Sequence, residues 1–188
     1  MSKVEWKPGT FIYPIPAVMV TSGDIEGESN IMTVAWTGIL NSNPAICYIS
    51  VRPERYSYHL IKESGEFAIN LTNEKLVYAT DWCGVRSGKD YDKFKEMHLT
   101  KERANHIKCP LIKESPVSIE CRVKEIKSLG SHDLFIADVL SIDAGDQYID
   151  EKGAFDISKC DLIAYANGGY YSLDKKLGKF GFSVQKKK

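Results

Sequence analysis

Two polar segments of the chain carry residue types that can bind a phosphate group. The first, SVRPERYS at 50–57, ends a predicted strand with Ser50 and places Arg52, Arg55 and Ser57 just before a predicted helix. A guanidinium group beside a helix N-terminus is a suitable phosphate receptor, because free backbone amides and a fixed positive charge meet there. The same arginines can equally be paired with nearby acids in a solvated loop, and the residues alone leave both interpretations open.

The second segment is CGVRSGKDYDKF at 83–94. It places Arg86, Ser87, Gly88 and Lys89 in a predicted turn that can close over an anion, since glycine allows backbone conformations that other residues avoid. The alternative is an exposed charged loop that leads into a surface helix near Asp92. Taken by itself, the segment favours the exposed loop.

Other kinds of catalytic chemistry find no support in the residue pattern. The five cysteines form no CxxC pair, and the four histidines lie neither at HExxH spacing nor beside a cysteine pair, so no metal site is predicted. Paired carboxylates and a Ser/His/Asp arrangement are also missing from the pattern, which counts against a hydrolase. The odd number of cysteines is best explained by reduced thiols and predicts a cytoplasmic protein.

Short strands dominate the elements that must position these segments. Runs rich in β-branched and aromatic residues, bounded by turn formers, occur at 17–21, 31–36, 46–51 and 67–71. Helical spacing of apolar residues is confined to short stretches at 56–63, 74–82 and 91–97, and either Thr72 or Asn73 can cap the second.

A long antiparallel hairpin is predicted in the second half of the chain. The run VSIECRV at 117–123 alternates apolar with polar residues and then slips phase at Lys124 and Glu125, which predicts a bulge. A second run follows at 133–142, across a turn of small residues. Many short strands with few interposed helices predict a mainly β (α+β) fold, an antiparallel barrel decorated by short helices.

The composition bounds the number of domains and the class of partner. The chain has 188 residues and a formal net charge of zero, with a pI near 6.9, so one domain over 1–188 is predicted and no polyanion is attracted by net charge. An OB-like barrel that binds single-stranded nucleic acid is therefore disfavoured. No apolar run is long enough to cross a membrane, and residues from about 179 to 188 are predicted to form a flexible basic tail.

The order of several motifs resembles the flavin reductase-like family, particularly its flavoredoxin branch. These motifs are YPIPAVMVTS, NIMTVAWTG, NPAICYISVRPERYS, FAINL, CGxxSGxDxDKF, a Gly-x-His turn and an aromatic pair near the end. The resemblance covers about residues 10 to 178. It implies an FMN-binding split β-barrel that works as a homodimer, with the flavin near the subunit interface.

The resemblance also implies which residues contact FMN. Thr33, Val34, Ala35 and Trp36 match the segment at the isoalloxazine edge, and Tyr170 and Tyr171 match the aromatic end near the flavin or the partner subunit. Further residues are assigned to the phosphate or to polar contacts with the cofactor. These are Asn30, Ser50, Val51, Arg52, Tyr56, Ser57, Ser87, Gly88 and Lys89.

The implied function is that of an FMN-dependent oxidoreductase, which passes electrons or hydride between a reduced donor and a small-molecule or redox-protein acceptor. Many NAD(P)H-using relatives have Gly-Asp-His where this chain has Gly130, Ser131 and His132. His132 is therefore the one catalytic candidate, with a hairpin-turn histidine of no chemical role as its alternative, and NAD(P)H use stays open. The competing function is a non-catalytic FMN-binding electron-transfer module.

Overall fold

The computed structural model of the protein describes residues 1–184. Strands make up most of its regular structure. In chain order they are β1 (Ile15–Pro16), β2 (Val18–Gly23), β3 (Ser29–Val34), β4 (Thr37–Ser42), β5 (Ala45–Val51), β6 (Glu66–Leu71), β7 (Lys101–Glu102), β8 (Leu111–Ile112), β9 (Val117–Ser128), β10 (Asp133–Ala144), β11 (Ile163–Ala166) and β12 (Gly169–Ser172). The helices are α1 (Tyr56–Ser64), α2 (Val77–Val85) and α3 (Lys93–Glu96), with single 3₁₀ turns at Glu74–Leu76, Asp146–Tyr148, Ile157–Lys159 and Phe182–Val184.

Seven strands form one antiparallel sheet in the order β3-β2-β6-β9-β10-β5-β4. Side chains from six of these strands meet in a single buried cluster, in which Ile49, Phe67 and Phe135 are fully buried. Strands β3 and β5 lie apart in the sheet order, yet both contribute to this cluster, so the sheet curls around its own core. A three-stranded sheet, β1-β11-β12, and the pair β7-β8 complete the pairing.

The predicted hairpin and its bulge are both confirmed. Strands β9 and β10 pair antiparallel, with Glu125 opposite Ile136 and Val123 opposite Ala137, which leaves Lys124 as the extra residue. A second register shift follows between Val139 and Ser141. The phase slip in the sequence therefore marks a real irregularity, because an inserted residue reverses which face the following side chains occupy.

The predicted helices all occur, with changed ends. Helix α1 ends at Ser64, and the following Gly65 caps it in a left-handed conformation (φ 69°). Asn73 accepts a hydrogen bond from the amide of Leu76 and so caps the second helical stretch, which starts as a 3₁₀ turn before α2. The third is shorter than the predicted 91–97, because the Asp92 carboxylate caps the amides of Phe94 and Lys95.

Three features differ from the sequence-based expectation or lie outside it. The run predicted as a strand over 31–36 ends at Val34, and residues 35–36 bend away. Strands β4, β11 and β12 lie outside the predicted runs. The predicted basic tail falls partly outside the described residues, since 185–188 are not described.

Among residues 1–184, no helix has the length and apolar character that a membrane span requires.

Candidate functional site

The two polar segments of the sequence meet beside the bend that follows β3. The amide of Ser50, near the end of β5, donates to the carbonyl of Trp36 at 2.9 Å and so fixes the bend against the strand. Just beyond Ser50 the chain turns into α1, whose first residues face the end of α2. Sheet curling, which brings β3 and β5 together, therefore assembles the site.

A cavity of about 440 Å³, here called the cationic cavity, lies between β3, the start of α1 and the end of α2. Four cationic side chains and one carboxylate, that of Glu54, line it. The cations are Arg52, Arg55, Arg86 and Lys93. A chain with no net charge thus concentrates positive charge in one concave place, where a low-dielectric wall strengthens the field. Such a cavity suits an anion.

One wall of the cationic cavity is held together by buried polar contacts. The amide of Asn30 donates to the hydroxyl of Ser57 at 2.8 Å, and both residues are buried. A Cβ atom at Gly88 would lie 2.2 Å from Asn30 Oδ1 and 2.7 Å from Tyr56 Cδ1. Only glycine therefore allows the 87–88 loop to approach this closely, so the loop lines the cavity although Ser87 itself is exposed.

Two of the cations are anchored on the end of α2. Arg55 donates to the carbonyl of Gly84 at 3.2 Å, and the ammonium group of Lys93 donates to the carbonyl of Cys83 at 2.7 Å. Lys93 is 4% exposed, and this burial lowers its pKa to about 8, an effect that the charge of Arg55 reinforces. Burial also raises the pKa of the Cys83 thiol to about 11, so this thiol is protonated at neutral pH.

The remaining charges around the cavity are exposed. Arg52 pairs with Glu54 at 3.4 Å, and both side chains are more than half exposed, so this pair adds little to stability. The hydroxyl of Tyr56 donates to Glu28, a hydrogen bond that raises the pKa of the tyrosine. Arg52 is thus free to exchange its exposed partner for another anion.

A second, smaller cavity of about 170 Å³ continues from the first, and we call it the ring cavity. Met32, Arg52 and Arg55 line both. The other residues of the ring cavity are Thr33, Val34, Ala35, Trp36, Ser50, Val51 and His132. Together the two cavities form one groove with a cationic end and an aromatic end, within the volume range of ~300–1,000 Å³ that is usual for small-molecule sites.

His132 reaches this groove from the turn of the β9–β10 hairpin. Its ring lies 4.5 Å from that of Trp36, centroid to centroid, at an interplanar angle of 35°. Burial lowers its pKa, and Arg52 and Arg55 lower it further, while Glu54 opposes them. The imidazole is therefore neutral at neutral pH. Its Nδ1 atom lies 2.9 Å from the Ser131 hydroxyl, so the residue in place of the aspartate can still orient the ring.

The structure brings most of the predicted cofactor contacts to this groove. The exceptions are Lys89, Tyr170 and Tyr171, which line neither the cationic nor the ring cavity. Tyr170 donates to Asp81 at 3.2 Å and lines a neighbouring cavity that also contacts Trp36. Burial raises the pKa of Tyr170 to about 12, with the Asp81 carboxylate adding to the effect. Tyr171 and Lys89 are exposed.

Three of the cationic lining residues were not among the predicted contacts. Arg55 and Arg86 lie in the two polar segments, and Lys93 lies in the DKF motif at the end of the second. The sequence feature that could have identified Lys93 is its position in a short helix directly before Phe94, which is buried. Its burial depends on the tertiary fold, so local sequence alone does not distinguish it from Lys89.

Comparison with known proteins identifies the family of the chain. The model of the flavin reductase like domain matches residues 10–174. The chain belongs to the flavin reductase-like family.

Solved structures place the chain near the flavoredoxins of this family. Flavoredoxin of Desulfovibrio vulgaris (Miyazaki F) is similar with a TM-score of 0.90 and 29% identity, covering 98% of this chain and 100% of that one. Flavoredoxin from Methanosarcina acetivorans has a TM-score of 0.87 and 27% identity, covering 98% and 100%. A Shewanella frigidimarina protein described as having a split barrel domain has a TM-score of 0.79 and 23% identity, covering 88% and 85%.

These similarities confirm the family resemblance and the fold class. The curled seven-stranded sheet with its few short helices is the split β-barrel of the flavin reductase-like family. The groove beside Trp36 is the candidate flavin site on this barrel. The individual cofactor contacts stay predictions, and the groove gives a testable position to all of them except Lys89, Tyr170 and Tyr171.

Proposed function

We propose that the protein binds FMN in the groove and acts as an FMN-dependent oxidoreductase of the flavin reductase or flavoredoxin type. It would pass electrons or hydride between a reduced donor, with NAD(P)H as one candidate, and a small-molecule or redox-protein acceptor. One observation carries the proposal, namely that the cationic cavity and the aromatic ring cavity are continuous through Met32, Arg52 and Arg55. A ligand with a phosphate at one end and an aromatic ring at the other matches this groove.

The chemistry of the residues fits the FMN phosphate. Arg52, Arg55 and Lys93 provide charge-assisted donors, and Ser57 can donate its hydroxyl proton because its oxygen accepts from Asn30. Gly88 keeps the backbone of its loop close to this wall. FMN is preferred to FAD in this proposal, since the terminal phosphate of FMN needs no continuation beyond the cavity.

The ring end positions the flavin, and its lining residues other than Arg52 and Arg55 carry no charge at neutral pH. Bound flavin carries the hydride or electron chemistry itself, so the protein has to hold it, leave it accessible and tune its potential. Trp36 and Val34 offer apolar contact and Ser50 lies on the same lining, whereas the hydroxyl of Thr33 donates to the carbonyl of Thr80. The neutral imidazole of His132 adds a hydrogen-bonding group without adding charge.

Two measurements test the proposal. Purified protein should copurify with FMN or quench the fluorescence of added FMN, and a colourless protein without such quenching would overturn the proposal. Anaerobic addition of NADH, and separately of NADPH, should then bleach the flavin absorbance if a nicotinamide is the donor. If neither bleaches the FMN-loaded protein but dithionite does, the alternative of a non-catalytic electron-transfer module is favoured.

We also propose that the working form is a homodimer located in the cytoplasm. Support for the dimer comes from β4, an edge strand next to Trp36 on which Ile39 is 85% exposed and Leu40 is 49% exposed. Exposed apolar side chains on a strand edge invite pairing with another chain. Light scattering that gives the monomer mass of 21.1 kDa, with FMN bound, would contradict this proposal.

A further inference from the structure

Trp36 also lines a cavity with mostly apolar walls, and we call it the apolar cavity. It has a volume of about 440 Å³ and lies between the N-terminal segment at 9–15 and the β5 and β10 strands, open to solvent at the exposed Phe11 and Leu129. Phe11, Tyr13, Trp36 and Tyr48 give it aromatic walls, and Leu129 and Leu134 close it from the hairpin. It is therefore large enough for a molecule of one or two rings.

Charge separates this cavity from the cationic one. Within the part of the chain that the structure describes, no Asp, Glu, Lys, Arg or His side chain lines the apolar cavity. An ionic group that enters such a place loses its hydration and gains no partner, which is strongly unfavourable. The polar groups on offer include the hydroxyls of Tyr48 and Ser50, which can hydrogen-bond to a neutral carbonyl or hydroxyl oxygen.

The apolar cavity shares a wall with the proposed flavin site. Ala35, Trp36 and Ser50 line both the apolar cavity and the ring cavity. A molecule in the apolar cavity therefore contacts the same side chains that face the ring end of the groove. The cationic cavity, in contrast, shares none of its lining residues with the apolar cavity.

We propose that the apolar cavity binds the second small molecule of the reaction, and that this molecule is uncharged and planar, such as a quinone. The inference rests on the proposed function. A dinucleotide such as NADH does not fit the same place, because its phosphates require cations and the apolar lining has none. The arginines and Lys93 of the groove are assigned to the flavin phosphate.

Calorimetry of the FMN-loaded protein with two matched ligands tests the proposal. Menadione is uncharged, and 1,4-naphthoquinone-2-sulfonate presents a similar ring system with one negative charge. We expect menadione to bind at least about tenfold more tightly than the sulfonate, because the sulfonate must be desolvated without a partner. Equal affinities for the two quinones would overturn the proposal.

Variants at Leu129 locate the binding site. This side chain is 58% exposed at the hairpin turn and lines the apolar cavity but neither part of the groove, so its replacement should leave the fold and FMN binding intact. Leu129→Asp should weaken menadione binding about tenfold and Leu129→Asn clearly less, whereas Leu129→Lys should strengthen binding of the sulfonate.

The same experiment separates the two proposals. If Leu129→Asp leaves the menadione affinity unchanged, the quinone binds elsewhere and the apolar cavity is not its site. FMN binding, followed separately by flavin-fluorescence quenching, reports on the groove alone. If the wild-type protein binds FMN but does not bind menadione, only the inference about the apolar cavity is overturned. Absence of FMN binding would instead overturn the proposed function.

Discussion

The cationic and apolar cavities have the same volume, about 440 Å³ each, and opposite chemistry. Four cations come together in the first from the β5–α1 loop, the end of α2 and α3, while the second is lined by aromatic and aliphatic groups from the N-terminal segment and the hairpin. The ring cavity joins them through residues that it shares with each. Size therefore does not distinguish the cationic cavity from the apolar cavity, and charge does.

The largest expected effect on this difference between the cavities comes from a methyl group added to the backbone that lines the cationic cavity. Gly88→Ala places a methyl group 2.2 Å from Asn30 Oδ1, so the Asn30–Ser57 contact must shift. We expect FMN affinity to fall on the order of 100-fold and the free energy of unfolding to fall by about 1–3 kcal/mol. Fluorescence titration and urea denaturation measure the two effects.

Gly27→Ala is the matched control for that change. A Cβ atom at Gly27 would meet only Asp24 Cβ, at an ordinary 3.8 Å. Its FMN affinity and stability should equal those of the wild type. Wild-type FMN binding in Gly88→Ala would show that the groove is not the phosphate site.

Removal of one cation tests whether the phosphate is what the cavity recognises. Arg52→Ala should weaken FMN binding by roughly 10- to 100-fold, since a charge-assisted hydrogen bond contributes about 1.5–3 kcal/mol. Riboflavin lacks the phosphate and should bind with unchanged affinity. Arg103→Ala is the control, because Arg103 also forms an exposed ion pair, with Glu26, but lines neither part of the groove. A parallel loss of both flavins would mean that Arg52 is structural.

The buried lysine predicts how FMN affinity depends on pH. The pKa of Lys93 is lowered to about 8, so in the free protein its positive charge is lost as the pH rises through 8. The phosphate binds the charged form, and FMN affinity should therefore fall about tenfold between pH 7.5 and 9.5. The phosphate itself, with a second pKa near ~6, is already a dianion in this window.

Lys93→Met should bind FMN more weakly and without this pH dependence. The neighbouring groups titrate outside the window, since the pKa of Cys83 is raised to about 11 and that of His132 is lowered below its ordinary value. Riboflavin titrations at the same pH values provide the baseline. If FMN affinity in Lys93→Met changes with pH as it does in the wild type, the pH dependence belongs to another group.

The smallest expected effect comes from a substitution that makes the cationic cavity more positive and so increases its difference from the apolar cavity. Glu54 is the one carboxylate that residues 1–184 contribute to its lining, and it lies 3.4 Å from Arg52. Glu54→Gln should tighten FMN binding by only about twofold. The Glu54 carboxylate competes with the phosphate for Arg52, but an exposed ion pair of this kind is weak. Menadione binding in the apolar cavity should stay constant, and isothermal titration of both ligands makes the comparison.

Local patterns were sufficient to predict most of the barrel. The β9–β10 hairpin and the bulge at Lys124 followed from strict alternation and its phase slip, which are properties of neighbouring residues. Strand β4 was not predicted, because its residues TGILNS lack alternation and its second half is exposed. Strands β11 and β12 are only four residues long and follow a stretch without regular spacing.

The site was predicted less completely, because its charges are sorted by tertiary packing. The segments around Trp36 and Arg52 could be identified because polar groups cluster at strand ends. Lys89 and Lys93 lie four residues apart in the same segment, yet only Lys93 turns inward and becomes buried. The apolar cavity had no local signal, since its walls come from three distant parts of the chain.

The hydrogen bonds that hold Arg55 and Lys93 to the end of α2 have a consequence for binding kinetics. Each long side chain is held by a backbone carbonyl of the protein itself, the buried Lys93 more firmly than the exposed Arg55, so part of their loss of rotamer freedom belongs to the folding equilibrium. A phosphate that arrives between them does not have to order them, and the ordering cost of association is reduced accordingly. The gain should appear as a slow release of the cofactor, because related affinities differ mainly in their dissociation rates.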